Sequence, residues 1–135
     1  MRNPDPQPDR PKQARSGYRE LIVWQRAMEL VAEVYRLAPL LPARERYGLT
    51  PQLTRAAVSV PANIAEGQGR LTPGDFARHL AIARGSLMEV ETLLLLSERL
   101  GMLSAGHTAA ALGLADEVSR MLSTLLAKYR KPRDR

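Results

Sequence analysis

Trp24, Met28, Val31, Tyr35 and Ala38 recur at alternating spacings of four and three, so a helix would carry them on one face, with Ala27, Leu30 and Val34 widening it. That pattern predicts a first helix over residues 19–38, ended by Pro39 and Pro42. Residues 39–49 form the longest connection in the body. Thr50 followed by Pro51 reads as an N-cap with proline at the first helical position, opening a second helix over 50–66. It presents Leu53, Ala56, Ala57, Val60 and Ile64. Pro61 lies inside it and removes the hydrogen bond to the Ala57 carbonyl, which predicts a kink near residues 57–61. Gly67 and Gly69 are expected to stop the helix.

Thr72, Pro73 and Asp75 repeat the start signal for a third helix over 73–100. Its seam of Phe76, Leu80, Ala83, Leu87, Val90 and Leu94 is the most regular in the chain. Leu93, Leu94, Leu95 and Leu96 then follow in succession and sweep most of the circumference. Either the domain buries that turn on every side, or a second subunit covers its outer face. Gly101 fits a C-cap, and Ser104 starts a fourth helix over 105–129 with Ala111, Ala115, Val118, Leu122, Leu125 and Tyr129 in line. No segment alternates as a strand does. The expectation is an all-α fold, an antiparallel up-and-down four-helix bundle.

A length of 135 residues supports one domain with a single core. The absence of cysteine excludes disulfides, thiolate metal sites and a Cys nucleophile. No apolar run is long enough to span a bilayer and residues 1–5 lack the apolar core of a secretory signal, so we expect a soluble cytoplasmic protein without a membrane partner. Residues 1–17 hold four prolines and almost nothing apolar; they read as a disordered Pro/Arg-rich arm. Residues 18–130 form the bundle and 131–135 a basic tail.

The net charge of +6 changes meaning once it is located. Arg2, Arg10, Lys12 and Arg15 face only Asp5 and Asp9, while Lys128, Arg130, Lys131, Arg133 and Arg135 face only Asp134. The two ends therefore account for the whole excess, and residues 18–127 are neutral. Within the body, residues 50–88 are basic through Arg55, Arg70, Arg78 and Arg84, whereas residues 89–127 are acidic.

Candidate chemistry is sparse. Gly67-Gln68-Gly69 lacks the third glycine and preceding strand of a dinucleotide fingerprint and the Gly-Lys-Ser/Thr of a phosphate loop, so it reads as a helix end and a turn. Asp75 and His79 are four apart, the spacing of two metal ligands on a helix, but without the paired Glu-x-x-His segments of a bundle metal site. The favoured reading makes Asp75 a capping residue and His79 a helix-surface residue. Asn63 and Glu66 sit among small apolar residues, and Glu66 reads as a structural carboxylate pairing with Arg55 or Arg70 rather than a general base. Trp24, Tyr35, Phe76 and Tyr129 fall on the apolar seams. Tyr18, Tyr47 and Tyr129, each beside a basic residue, are the aromatics suited to stacking on unpaired bases.

The stretch Val23–Leu30, the block from Tyr47 through Pro61-Ala62-Asn63-Ile64-Ala65-Glu66-Gly67, and Gly85–Thr92 resemble the bacterial "four helix bundle protein" family, first recognised in intervening sequences of large-subunit ribosomal RNA genes. The resemblance covers residues 18–130. It implies a four-helix bundle in a ring-like homopentamer, and a similar architecture occurs in the accessory proteins of diversity-generating retroelements, which bind nucleic acid and a reverse transcriptase. In this chain the turn after the glycines runs Arg70-Leu71-Thr72-Pro73-Gly74 before Arg78 and Arg84, a thinner basic face than the resemblance leads one to expect.

These observations favour a non-enzymatic homo-oligomer that binds RNA or DNA through its tails with Arg55, Arg70, Arg78 and Arg84, requiring no metal or cofactor. Trp24, Leu87 and Leu93–Leu96 would supply contacts within or between subunits. The alternative is a protein-interaction scaffold with incidental basic tails. An enzyme is the least favoured, because no nucleophile–base pair or cofactor motif is visible.

Overall fold

The computed structural model describes residues 17–129, and among these it contains four α-helices and no strand: α1 (Ile22–Leu37), α2 (Leu49–Gln68), α3 (Pro73–Arg99) and α4 (Ala105–Tyr129). Short 3-10 turns occupy Tyr18–Glu20, Ala38–Leu40 and Ala43–Glu45. Most of the Pro/Arg-rich arm, and the tail residues Arg130, Lys131, Arg133 and Arg135, lie outside the described residues.

The helix ends follow from side chains that satisfy the otherwise unpaired backbone groups. Thr72 Oγ1 accepts the Asp75 N–H at 3.1 Å, with Pro73 in the first turn. At the far end of α3, Gly101 takes φ +73°. The Met102 N–H donates to the Ser97 carbonyl and the Gly101 N–H to that of Glu98, both at 2.9 Å, which closes a Schellman motif. Ser104 Oγ accepts from the His107 N–H while His107 Nδ1 accepts from the Ser104 N–H, both at 3.1 Å. This is a reciprocal cap with imidazole where a glutamate usually stands.

The start of α2 departs from expectation. The helix begins at Leu49, and Glu45 Oε1 accepts the Leu49 N–H at 2.9 Å, so Glu45 rather than Thr50 caps it. The Ala43–Glu45 turn brings a carboxylate onto the positive end of the helix, and a charged acceptor there is favoured over a hydroxyl. Pro61 is buried within one continuous helix and does not split it. Gly67 does not stop α2 either; it is a buried helical residue, and Gly69 is the C-cap.

Each helix packs against its neighbours in the chain, and α1 closes the bundle against α4. Pairings across α2 and α3 run in opposite senses: Ser59 with Ser86, Asn63 with His79, Gly67 with Phe76. The same holds for α3 and α4, where Glu98 meets Thr108 and Phe76 meets Tyr129. Arg26 meets Glu117 across α1 and α4, and Ile22 lines a groove with Leu125. The fold is therefore an antiparallel four-helix bundle.

The core takes Leu53, Ala57, Val60 and Ile64 from α2, Phe76, Leu80, Ala83, Leu87, Val90 and Leu94 from α3, and Ala111, Ala115, Val118, Leu122 and Leu126 from α4. In α1 it takes Val23, Ala27, Leu30, Val34 and Leu37, not the face expected from the larger side chains. Met28 and Tyr35 are 45% and 54% exposed, and Trp24 and Val31 only flank the core. Two apolar stripes lie side by side on α1, and the slimmer one, with Ala27, faces inward. Leu125 and Tyr129 on α4 are likewise half-buried, with Leu126 taking the inner place.

Four antiparallel helices bring the first and last described residues, Gly17 and Tyr129, to one end of the bundle, the tail end. That tail end gathers the start of α1, the α2–α3 turn and the end of α4. The opposite end holds the connection from Ala38 to Gly48 and the α3–α4 turn.

Candidate nucleic-acid interface

Arg70, in the turn after α2, and Arg78, on the outer face of α3, are exposed near the tail end, as is Lys128. Arg19 joins them at the start of the chain's described part, 5.9 Å from the Tyr18 ring centroid, and Lys128 Nζ lies 5.4 Å from that of Tyr129. Tyr18 packs edge-on against Trp24 at 5.2 Å between centroids, and Tyr129 against Phe76 at 4.8 Å, so packing occupies both rings in part. The remaining two arginines stand apart. Arg55 lies halfway along α2 in a polar cleft of about 250 Å³ with Gln52, Ser59, Ser86 and Glu89. Arg84 is half-buried, its Nε enclosed without a hydrogen-bond partner among the described residues. Six residues separate it from Arg78, about 120° around the helix, so the two leave α3 in different directions.

The body at the tail end is balanced: Glu20, Glu66 and Asp75 stand with Arg19, Arg70 and Arg78. The tails supply the excess. The four candidate arginines of the body therefore divide into a pair at the tail end and two isolated side chains.

Between α2 and α3 runs a polar seam that sequence reasoning did not find. Ser59 Oγ and Ser86 Oγ share a hydrogen bond of 2.8 Å. Asn63 Nδ2 donates to the Ser59 carbonyl at 3.0 Å and to Ser59 Oγ at 3.1 Å, which leaves Oδ1 to accept from His79 Nδ1 at 3.1 Å. With the Asn63 amide turned this way, Nδ1 is the ring nitrogen that donates to it. His79 is 5% exposed, so it is not the surface residue expected, and its Nε2 is buried without a partner among the described residues. Gly67 explains how the ring fits: a Cβ there would stand 2.6 Å from His79 Cβ and 3.0 Å from Phe76 Cδ1. Glu66 is exposed and pairs with neither Arg55 nor Arg70; its Oε1 lies 3.6 Å from His79 Nδ1. The spacing Ser59, Asn63, Gly67, each four apart, was the available signal.

Leu87, Leu93 and Leu94 are buried, Trp24 is half-buried, and Leu95 and Leu96 are 53% and 37% exposed. Ile82 and Met88 extend this apolar outer face of α3, while Met28 and Tyr35 on α1 and Val58 on α2 are exposed elsewhere. An open apolar groove of about 370 Å³ lies at the tail end, lined by Leu21, Ile22, Val23, Met121 and Leu125. Among the described residues no helix is long and apolar enough to cross a membrane.

Residues 19–124 match the family model described as 23S rRNA-intervening sequence protein. No curated protein matches the chain. Among solved structures, the crystal structure of a protein with unknown function from the S23 ribosomal protein family of Bacteroides thetaiotaomicron is similar. It is 22% identical, with a TM-score of 0.73 over 78% of this chain and 98% of that one. At that identity the likeness concerns the all-α fold alone.

Proposed function

The chain belongs to the family of 23S rRNA-intervening sequence proteins, and from that premise we propose that it is a non-enzymatic, homo-oligomeric accessory protein that binds RNA or DNA through the tail end of its bundle. The observation that carries this reading is the meeting of charge and topology. All of the net +6 belongs to the two chain ends, and an antiparallel bundle of four helices brings residues 17 and 129, from which those ends lead off, to one side. Clustered cations attract polyanions and release their counterions on binding. Arg70 and Arg78 stand on that side as further phosphate contacts without raising its net charge, which Glu66 and Asp75 offset; Arg55 and Arg84 contribute less, being distant from it and from each other.

Assembly would multiply the effect, because linked weak sites bind with avidity. Exposed apolar side chains on two separate faces support it: Met28, Tyr35 and Val58 on α1 and α2, and Ile82, Met88, Leu95 and Leu96 on α3. Two different faces meeting head to tail generate a ring when the rotation closes, in keeping with the pentamer that the resemblance implies. Light scattering that returns a mass near the 15.0 kDa of a single chain at micromolar concentration would refute the assembly.

Binding to RNA and DNA should fall steeply with salt, and deletion of residues 1–17 and 130–135 should flatten that dependence. Absence of binding by the full-length protein at low salt would end the reading. The apolar groove beside Ile22 favours a second one, a scaffold for another protein; a stoichiometric partner that survives nuclease treatment, with no retained nucleic acid, would support it instead.

A further inference from the structure

The end of the bundle away from the tails carries an unusual combination. Tyr47 is 87% exposed, and the Arg46 guanidinium lies 5.6 Å from its ring centroid. Arg44, in the same connection, and Arg99, at the end of α3, are exposed, and none of Arg44, Arg46 and Arg99 takes part in the ion pairs among the described residues. The acids at this end are turned to structural work. Glu45 caps α2 through the Leu49 N–H, and Glu98 accepts from the Thr108 hydroxyl on α4. The guanidinium charge is therefore left facing solvent.

The register set by Ser59 and Ser86 brings these groups to one level. Ten residues back from Ser59 is Leu49, and ten on from Ser86 is Leu96, so the start of α2 stands beside the last turn of α3. Tyr47 precedes that start, and Arg99 follows Leu96 by three residues.

We propose that this end is a second nucleic-acid site, selective for single strands, in which Tyr47 stacks on an unpaired base while Arg44, Arg46 and Arg99 take the flanking phosphates. The inference rests on the nucleic-acid reading above and deepens it, since clustered cations accept any polyanion whereas an exposed ring rewards only a base free to leave its stack. Arg46 against the ring presents a cation and a π face together, the pairing suited to a base and its phosphate.

The test uses the full-length protein, a labelled oligothymidylate of about twenty nucleotides and a duplex of the same length, read by fluorescence anisotropy across a salt series. Tyr47→Ala should weaken oligothymidylate binding about tenfold or more, leave duplex binding and the salt dependence unchanged, and be rescued by Tyr47→Phe. Unchanged melting of the variants is expected from the exposure of the side chain. Oligothymidylate affinity that is indifferent to Tyr47→Ala overturns this site and leaves the tail-end reading standing, as does an equal loss on both probes. A drop in assembly mass on Tyr47→Ala, seen by light scattering, overturns it by making the surface a contact between copies. If the full-length protein binds neither probe at low salt, both readings fall together.

Discussion

The α2–α3 and α1–α4 pairs solve the same problem, two antiparallel helices burying apolar faces, in opposite ways. Between α2 and α3 the side chains are small, the contact is the most extensive in the bundle, and hydrogen bonds run from Ser86 through Ser59 and Asn63 to His79. Between α1 and α4 the contact is looser, a groove of about 370 Å³ stays open, and the polar link is a surface ion pair, Arg26 Nε to Glu117 Oε2 at 3.0 Å. That network favours one register: its two serines and its asparagine are half-buried, but a slipped helix would leave the buried His79 without its partner in a low-dielectric interior. An exposed ion pair specifies little, since water replaces either partner. The pair that carries the family-like sequence block is thus fixed, and the pair beside the tails is left adaptable.

The largest effect should come from closing the approach of α3 to α2. Helix propensity alone makes alanine about 1 kcal/mol better than glycine inside a helix. At Gly67 the added Cβ would meet His79 Cβ, which is fixed to its own backbone and has no flexible arm to swing aside. Overpacking costs about 1–3 kcal/mol, and a contact with a fixed Cβ belongs at the top of that range. After the propensity gain, Gly67→Ala should destabilise the protein by about 2 kcal/mol in urea unfolding at fixed protein concentration. A stabilised variant would mean that the two helices have room to separate and that their packing is not what distinguishes them.

Next in size is the seam itself. Asn63→Ala removes the partner of His79 Nδ1 and the donor to Ser59, leaving a buried imidazole whose Nε2 has no partner and whose Nδ1 has only the exposed Glu66 carboxylate, 3.6 Å away. The expected loss is about 1–2 kcal/mol, the cost of an orphaned buried polar group. In an Asn63→Ala, His79→Leu double variant, part of that loss should return, because an apolar pair leaves no polar group unpaired. A double variant no better than the single one would show that the seam acts through shape alone.

What the sequence reveals depends on how many partners a residue needs. The α3 seam from Phe76 to Leu94 was legible because a single apolar stripe with strict spacing has one way to face inward. The α1 face was not: the Trp24–Tyr35 and Val23–Leu37 stripes satisfy the same period, and which one turns inward depends on the space α2 and α4 leave. His79 was misplaced for a related reason. Its burial requires Gly67 and Asn63 from another helix, twelve and sixteen residues away, and no periodicity within α3 contains them. Thr50 lost its capping role to Glu45 because a 3-10 turn, invisible in a hydrophobic pattern, aims that carboxylate. The charge of the tails was countable from the chain, while the separation of Arg55 and Arg84 from Arg70 and Arg78 needed three-dimensional placement.

The smallest effect is expected where the bundle is most open. Glu29 first, by hydrogen bonding, and then Glu117 hold the Arg26 guanidinium above its ordinary pKa. The Arg26 guanidinium is therefore protonated near neutrality, and its own titration adds no pH dependence there. Its side chain is 41% exposed and that of Glu117 40%, so water and salt already solvate both. Arg26→Ala should leave the melting temperature almost unchanged, and any difference at low ionic strength should vanish at 1 M salt, where the screening length falls to about 3 Å. A loss as large as that of Asn63→Ala, persisting at high salt, would mean that α1 is held to α4 by this pair rather than by Val23, Ala27, Val118 and Leu122. The contrast between a specified and an adaptable helix pair would then be lost.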